Sequence, residues 1–243
     1  MAKIIHSKGK STYDLYRRKD RNRQILLWGL AVLGVAGAYF TYGISLLLCC
    51  SLLFLKKDNH DGHYKEILAA GEEGEKSTEQ ALRKLPRSYY VVGDVTIYKP
   101  NGSNQLDHVV VGPNGVFVVE TKNHKGIISG DDSDVKVLQQ KQVKGMWRES
   151  RFLNPTKQVA THERAARRFM KELGYGEVPV KGMVYFSNPE AKVKLSSKET
   201  AIFSAGRGGG RKLCRYIRRS GKRGSLSASE RKDLAERFAR KRT

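Results

Sequence analysis

The most pronounced feature of the hydrophobic pattern is an uninterrupted apolar stretch near the N-terminus. Residues 25–55 contain 31 positions without a charged side chain, and Lys56 and Lys57 follow them directly. A run of this length exceeds the roughly 18 apolar residues that indicate a membrane-spanning helix. We therefore expect a transmembrane segment here, either as one tilted helix or as a hairpin that bends near residues 41–43.

Further along the chain, the spacing of apolar residues alternates between patterns typical of helices and patterns typical of strands. Helical spacing and capping residues predict helices at 64–85, 156–173, 211–219 and 227–240. Runs of β-branched and aromatic residues predict strands at 89–98, 105–111, 116–122, 181–186 and 200–204. One or two further short strands are expected within 126–139. This order of elements predicts an α/β (α+β) fold with a mixed central sheet flanked by helices, preceded by the transmembrane helix or hairpin.

Charge divides the chain further, because most of the net charge of +22 lies at the two ends. Residues 1–24 hold eight Lys/Arg against two Asp, and residues 207–243 hold fourteen Lys/Arg against three acids. The predicted organisation is therefore a basic N-terminal segment at 1–24, the transmembrane segment at 25–55, a linker at 56–64, a core domain at 65–206 and a basic helical segment at 207–243.

Basic segments of this kind attract polyanions, either nucleic-acid phosphates or anionic lipid. The basic residues beside the apolar stretch, at 17–23, are interpreted first as a topology signal or as lipid contacts. For the C-terminal segment nucleic acid is the favoured partner. The residues predicted to bind it are Arg207, Arg211, Lys212, Arg215, Arg218 and Arg219.

The side on which the core domain lies depends on the number of membrane passes. Six Lys/Arg precede the apolar stretch within about 20 residues and three follow it, so the positive-inside rule places the N-terminus in the cytoplasm. One pass would put the core domain outside, whereas a hairpin would keep it inside. Because nucleic acid is the expected partner, we favour a bacterial inner-membrane protein whose core domain faces the cytoplasm.

The most informative local pattern is a predicted hairpin around Pro113 and Asn114. If these two residues form the turn, Gly112 pairs with Gly115, and Asp107 lies opposite Glu120. Glu120 and Lys122 are two residues apart and so share a face with Asp107. Val109, Val111, Val116 and Val118 fill the rest of that face, and the opposite face carries Leu106, Val110, Phe117 and Val119.

Two carboxylates facing each other in a buried hairpin repel, so something must offset the repulsion. A proton shared between Asp107 and Glu120 is one solution, and a hard divalent cation such as Mg²⁺ is another. In the second case Lys122 would stabilise developing negative charge on a substrate. An ordinary ion-pair cluster of the three residues is the third interpretation, and geometry alone does not choose among them.

Three short motifs occur in an order that resembles a known family. They are GEEGE at 71–75, LDHVVVGPNGVFVVETKN at 106–123 and NPTKQ at 154–158. Together they resemble the NERD (nuclease-related) domain, which is grouped with the PD-(D/E)xK nucleases of restriction-endonuclease-like fold. The resemblance spans about residues 63–240.

The resemblance implies a role for each matching residue. Asp107 would be the metal-binding acid, although Leu106 precedes it where the superfamily has proline. Glu120 and Lys122 would form the (D/E)xK pair. Glu75 would reach the metal from the first helix, and Gln158 would help to position the substrate. The implied cofactor is Mg²⁺ or Mn²⁺.

The sequence thus favours a membrane-anchored, metal-dependent nuclease that hydrolyses nucleic-acid phosphodiester bonds, with DNA favoured over RNA. Two alternatives remain: a non-catalytic module that tethers DNA or RNA at the membrane, and a scaffold whose basic ends bind anionic lipid. No P-loop or GxSxG motif is present, so neither an NTPase nor a serine hydrolase is indicated. His108 is expected to be a core or partly exposed histidine and not a ligand, while His60, His63 and His162 show no metal-binding spacing with one another.

Overall fold

The structure, a computed structural model, describes residues 1–6, 12–38, 60–99 and 102–240. The chain divides into two compact units, one comprising Met1–Gly9 and Gly71–Thr243 and the other Lys10–Ala70. The helices of the described residues are α1 Thr12–Ala38, α2 His60–Leu82, α3 Pro155–Glu172, α4 Gly209–Arg219 and α5 Ala228–Ala239.

The described strands form two sheets in the first unit. In chain order they are β1 Lys3–His6, β2 Tyr90–Lys99, β3 Gly102–Gly112, β4 Gly115–Lys122, β5 Gly126–Gly130, β6 Lys136–Val143, β7 Met146–Leu153, β8 Val180–Phe186, β9 Ala191–Leu195 and β10 Ala201–Ser204. The main sheet has the order β1-β2-β3-β4-β8-β10, and the smaller sheet has the order β7-β6-β5-β9. Both sheets mix parallel and antiparallel pairs, which confirms the predicted mixed α/β class.

Helices cover both faces of the main sheet. One core cluster joins β2, β3, β4 and β8 to α3 and α5, and includes Val118, Phe169 and Phe238. A second cluster on the opposite face joins the sheet to α2 and α4, and includes Leu82 and Leu213. Burial on both faces explains why β3 and β4 are almost continuously apolar instead of alternating with polar residues.

The β3–β4 hairpin has the predicted register. His108 pairs with Val119, Val110 with Phe117, and Gly112 with Gly115. The ladder of paired residues ends at His108 and Val119, so Asp107 and Glu120 are the next residues on their strands, where β3 and β4 begin to diverge. The turn residues thus fixed the register of both strands, as expected from hairpin geometry.

One predicted position on this hairpin is wrong. Leu106 was expected on the face opposite Val109, but it lies in the same core cluster as Val109. The alternation of faces is lost beside Asp94 on β2, whose φ of 53° is rare for a residue other than glycine. The paired register continues unchanged from Gly93–His108 to Val95–Leu106, so a local twist without an inserted residue accounts for the change of face.

Several elements formed by long-range pairing were not predicted. Residues 3–6, treated above as part of a basic terminal segment, form β1 and pair in parallel with β2. The strands β7 and β9 complete the smaller sheet on either side of the β5–β6 pair. The predicted helix starts are confirmed in two cases, since Asn154 caps α3 and Ser227 caps α5 through a capping box with Glu230.

The predicted transmembrane segment lies partly outside the described residues. Residues 25–38 form the second half of α1, whereas residues 39–55 are not among those described. Within the described part of the chain, no helix is both long and apolar enough to span a membrane. In the Lys10–Ala70 unit, Asp20 pairs with Arg23 and, at 2.7 Å, with Lys65.

Candidate active site

The candidate site begins where β3 and β4 separate. Asp107 accepts a hydrogen bond of 2.7 Å through Oδ2 from the backbone N–H of Thr121. A side-chain carboxylate thus satisfies an amide of β4 just beyond the last backbone pair of the two strands. This bond holds Asp107 beside the Glu120–Lys122 segment, as the hairpin prediction required.

Glu120 lies at the centre of the site and is only 3% exposed. Lys122 Nζ donates to Glu120 Oε1 over 2.7 Å. On the other carboxylate oxygen, His162 Nδ1 of α3 lies 3.0 Å from Oε2, within ion-pair distance when the imidazole is protonated. Neither atom has a hydrogen-bond partner among the described residues, so their contact is an ion pair without an aligned hydrogen bond. Each carboxylate oxygen of Glu120 therefore has one basic side chain beside it, and only the Lys122 contact is a hydrogen bond.

The helix α2 brings Glu75 to the same end of the sheet. Gly74 is buried, and a Cβ atom added there would lie 2.7 Å from Cβ of Asn123. Next to it, Thr78 Oγ1 hydrogen-bonds Thr121 Oγ1 at 3.0 Å. The missing side chain at Gly74 therefore allows α2 to approach the end of β4 closely, and Glu75 follows directly in the chain.

The acidic residues of the site differ in their protonation. Burial, followed by the charge of Glu120, raises the pKa of Asp107 to about 7. Burial also raises the pKa of Glu75 to about 7, with smaller contributions from Asp94, Glu72 and Glu120. For Glu120 burial acts in the same direction, but the contacts with His162 and Lys122 outweigh it and lower the pKa. Near neutral pH, Glu120 is thus ionised while Asp107 and Glu75 are poised to hold or release a proton.

Helix α3 carries Gln158 and His162 on one face, since residues four apart on a helix are neighbours. Three buried polar atoms here have no hydrogen-bond partner among the described residues: Gln158 Oε1, His162 Nδ1 and Glu120 Oε2. Such atoms are rare in native proteins and mark places that a water, an ion or a substrate can complete. The sequence pointed to Gln158 but missed His162, although the spacing of four residues between them was a usable signal.

The residues present are compatible with an open Mg²⁺ site. In the described part of the chain, no group of three or more His, Cys, Asp or Glu side chains is arranged to hold a metal ion. Mg²⁺ does not require such a cage, because it is commonly bound by one or two carboxylates and completes its shell with water and phosphate oxygens. Asp107 and the unsatisfied Glu120 Oε2 fit that description. The larger ligand set that includes Glu75 stays a prediction.

The predicted nucleic-acid-binding residues divide into two groups. Arg215, Arg218 and Arg219 line a cavity beside the turn of the β3–β4 hairpin. Arg207, Arg211 and Lys212 are exposed near the start of α4 and do not line it. His108, expected to be a core or partly exposed histidine, is 2% exposed, and burial lowers its pKa to about 4.

Comparison with known proteins agrees with this geometry. Residues 70–187 match the NERD family, the nuclease-related domain. The chain is also 37% identical over 138 residues to an uncharacterised protein of Bacillus anthracis, covering 54% of this chain and 60% of that protein. No solved structure shows a significant match.

The NERD match includes every residue of the candidate site. Glu75, Asp107, Glu120, Lys122 and Gln158 all lie within residues 70–187, as does His162. Two strands of the main sheet, β1 and β10, lie outside the matched range, as do the helices α4 and α5 that pack against this sheet. The fold around the matched residues is therefore completed by segments that lie outside the match.

Proposed function

We propose that this chain is a metal-dependent nuclease that hydrolyses phosphodiester bonds of nucleic acid, with DNA favoured over RNA. The observation that carries the proposal is the position of Asp107 and Glu120 on diverging strands, with Lys122 Nζ 2.7 Å from Glu120. An acid pair with an adjacent lysine can support metal-assisted phosphodiester hydrolysis, because the acids can bind the cation and the lysine can stabilise negative charge. The NERD match supports the same activity.

Each side chain has a role that its surroundings suit. Asp107 and Glu120 would hold Mg²⁺ or Mn²⁺, which when bound supplies positive charge to the phosphate and acidifies water. Lys122 would stabilise negative charge on the phosphate, because its ammonium already points into the site. Gln158 Oε1, which lacks a partner, would accept a hydrogen bond from the attacking water. Glu75, with its pKa raised to about 7, would take up or release a proton.

The β6–β7 hairpin is the surface best suited to hold nucleic acid near this site. Lys141 pairs directly with Arg148 across the two strands, a like-charge pair that repels unless an anion approaches. Trp147 is 62% exposed and offers a ring for base stacking. His124, two residues after Lys122, stacks on Phe152 of β7 with ring centroids 3.9 Å apart, so the hairpin adjoins the candidate site.

Attachment to a membrane through residues 25–55 remains part of the proposal. The part of this segment that belongs to α1 presents large apolar side chains to solvent, among them Ile25, Trp28 and Val32. Burial of such side chains in lipid is favourable. Flotation of the full chain with liposomes tests this step, and the protein remaining in the soluble fraction would refute it.

Cleavage is tested with the full chain in detergent micelles, supercoiled plasmid and Mg²⁺ or Mn²⁺. We expect nicking or linearisation that is lost with EDTA and with Lys122→Ala. The matched control is Lys125→Ala, which removes a nearby lysine outside the site and should leave cleavage unchanged. The same assay is repeated with RNA. If both plasmid and RNA are bound but not cut, and Lys122→Ala does not change the binding, the non-catalytic tether is favoured instead.

A further inference from the structure

An arginine-rich cavity lies at the opposite end of the β3–β4 hairpin from the acidic residues. Its volume is about 580 Å³, and four arginines line it: Arg215, Arg218, Arg219 and Arg223. The floor includes the ring of Tyr89 and the Pro113–Asn114 turn. From Gly115, next to this turn, to Glu120 is five residues of β4, or about 16 Å at roughly 3.3 Å per residue. The cavity is therefore separate from the candidate active site.

Hydrogen bonds of the buried residue Asn114 fix the wall of this cavity. Asn114 is 2% exposed and donates through Nδ2 to the carbonyl oxygens of Ile217, at 2.6 Å, and Ser220. It accepts a hydrogen bond of 2.8 Å from the Tyr89 hydroxyl. The N–H of Lys222 donates to the Asn114 carbonyl over 3.0 Å. These bonds fix the end of α4 and the following loop against the hairpin turn.

The four arginines differ from several other arginines of the described residues in their lack of an acidic partner there. Among the described residues, none of them forms an ion pair, whereas Arg83, Arg167 and Arg237 each pair with a carboxylate one helical turn away. The guanidiniums of Arg218 and Arg223, together with Arg231, also act on the Tyr89 hydroxyl from different chain positions. Positive charge thus converges on one concave site without an ion-pair partner from the part of the chain that the structure describes.

The helix dipole does not explain the arrangement. Arg218 and Arg219 lie in the last turn of α4, where a cation is favourable for any helix. Arg215 lies a turn earlier, and Arg223 lies beyond the helix in the loop that Asn114 fixes. The helix dipole therefore does not account for the positions of Arg215 and Arg223 at the cavity.

We propose that this cavity binds a compact polyphosphate, meaning two or more linked phosphate groups carried by a small molecule or by the end of a nucleic-acid strand. Guanidinium groups bind phosphate through paired N–H donors, and four of them exceed the charge of a single phosphate. The volume is in the range of small-molecule sites, and it is too small to admit a nucleic-acid duplex. The proposal does not rest on nuclease activity.

The test is isothermal titration of the full chain with inorganic tripolyphosphate, in EDTA and about 0.15 M salt so that metal and weak surface charge do not contribute. We expect saturable binding of one tripolyphosphate per chain, at least tenfold tighter than inorganic phosphate. Arg218→Gln/Arg223→Gln should weaken it at least tenfold. Arg164→Gln/Arg168→Gln removes the same charge at exposed positions of α3 outside the cavity and should change affinity less than twofold.

Ser88→Asp, which places a negative charge at the cavity lining, should abolish binding without removing an arginine. Asp107→Asn should bind normally, which separates this site from the proposed active site. Competition with oligonucleotides distinguishes the two sources of the phosphates. If strand ends are bound, an oligonucleotide with a 5′-triphosphate should displace tripolyphosphate and one with a 5′-hydroxyl should not; if the ligand is a small molecule, neither should displace it. Absence of saturable binding, or equal weakening by both arginine double variants, would overturn the proposal.

Discussion

Replacing Asp107 by asparagine gives the sharpest test of the electrostatics of the site. Burial beside Glu120 raises the pKa of Asp107 from its ordinary 3.8 to about 7. Between these two values the folded protein keeps a proton that the unfolded chain has released. Through this group, rising pH therefore favours the unfolded chain across this window, and the contribution of Asp107 to the free energy of unfolding is lowest above pH 7.

The size of the effect follows from the two pKa values. A change from 3.8 to about 7 corresponds to at most about 4 kcal/mol, since each tenfold change in proton affinity is worth ~1.4 kcal/mol. Asparagine keeps an oxygen that can accept the Thr121 N–H but carries no charge. We therefore expect Asp107→Asn to be more stable than the wild type at pH 8 by up to this amount, and equal to it near pH 4.

Thermal unfolding of the full chain, followed by circular dichroism at pH 4, 6 and 8, measures this difference. For a chain of this size each kcal/mol shifts the melting temperature by about 2–4 °C. Mg²⁺ at 100 times its Kd should raise the stability of the wild type by about 2.7 kcal/mol and that of the variant by less. Glu199→Gln, at an exposed acid, is the control. If Asp107→Asn is less stable than the wild type at pH 8 without metal, the ionised carboxylate is stabilised by its neighbours, and the ion-pair interpretation holds instead.

Three further predictions concern packing and binding. Gly74→Ala should destabilise the protein by about 1–3 kcal/mol and reduce cleavage, because the added Cβ would collide with Asn123. Gly71→Ala on the same helix has open space and should do neither. Chemical denaturation compares the two variants, and equal losses of stability would contradict the prediction. Lys141→Gln/Arg148→Gln should weaken binding to a DNA duplex and reduce the slope of log affinity against log salt concentration by about 2. Fluorescence anisotropy measures this slope, and an unchanged slope would exclude the β6–β7 hairpin as a phosphate contact. Asn114→Ala should lower the free energy of unfolding, measured with urea, by about 2–5 kcal/mol, because Ile217, Ser220 and Tyr89 all lose a hydrogen-bond partner. A loss below about 1 kcal/mol would show that the Asn114 side chain does not stabilise the turn.

The parts of the fold that local chemistry determines were accessible from the sequence. A Pro113–Asn114 turn between two apolar runs fixes the register of the hairpin, and the paired residues agree with it along the whole β3–β4 ladder. Asn154 and Ser227 marked their helix starts because side-chain capping is a local interaction. The predicted strand at 105–111 and its partner at 116–122 are correct for the same reason.

The parts that depend on distant segments were not accessible. The strand β1 owes its position to pairing with β2, about 85 residues later in the chain, and a four-residue run carries no signal of that pairing. Leu106 changed face because of the backbone at Asp94 on a different strand. His162 reaches Glu120 because α3 packs across β4 and β8, and the sequence signal for it was limited to its spacing of four residues from Gln158.

The β3–β4 hairpin connects the two sites that we infer. Its open end sets Asp107 beside Glu120, and its turn end carries Asn114, on which the arginine cavity is built. Because side chains alternate along a strand, a slip of one residue in register would turn both carboxylates to the other face and displace Asn114 from the end of α4. The burial of this hairpin on both faces resists such a slip, since Val109 and Val118 belong to one core cluster and Val110 and Val119 to the other. The same apolar packing that partly buries Asp107, and so raises its pKa, thus also fixes the geometry in which a cation or a phosphate can offset the unbalanced charge.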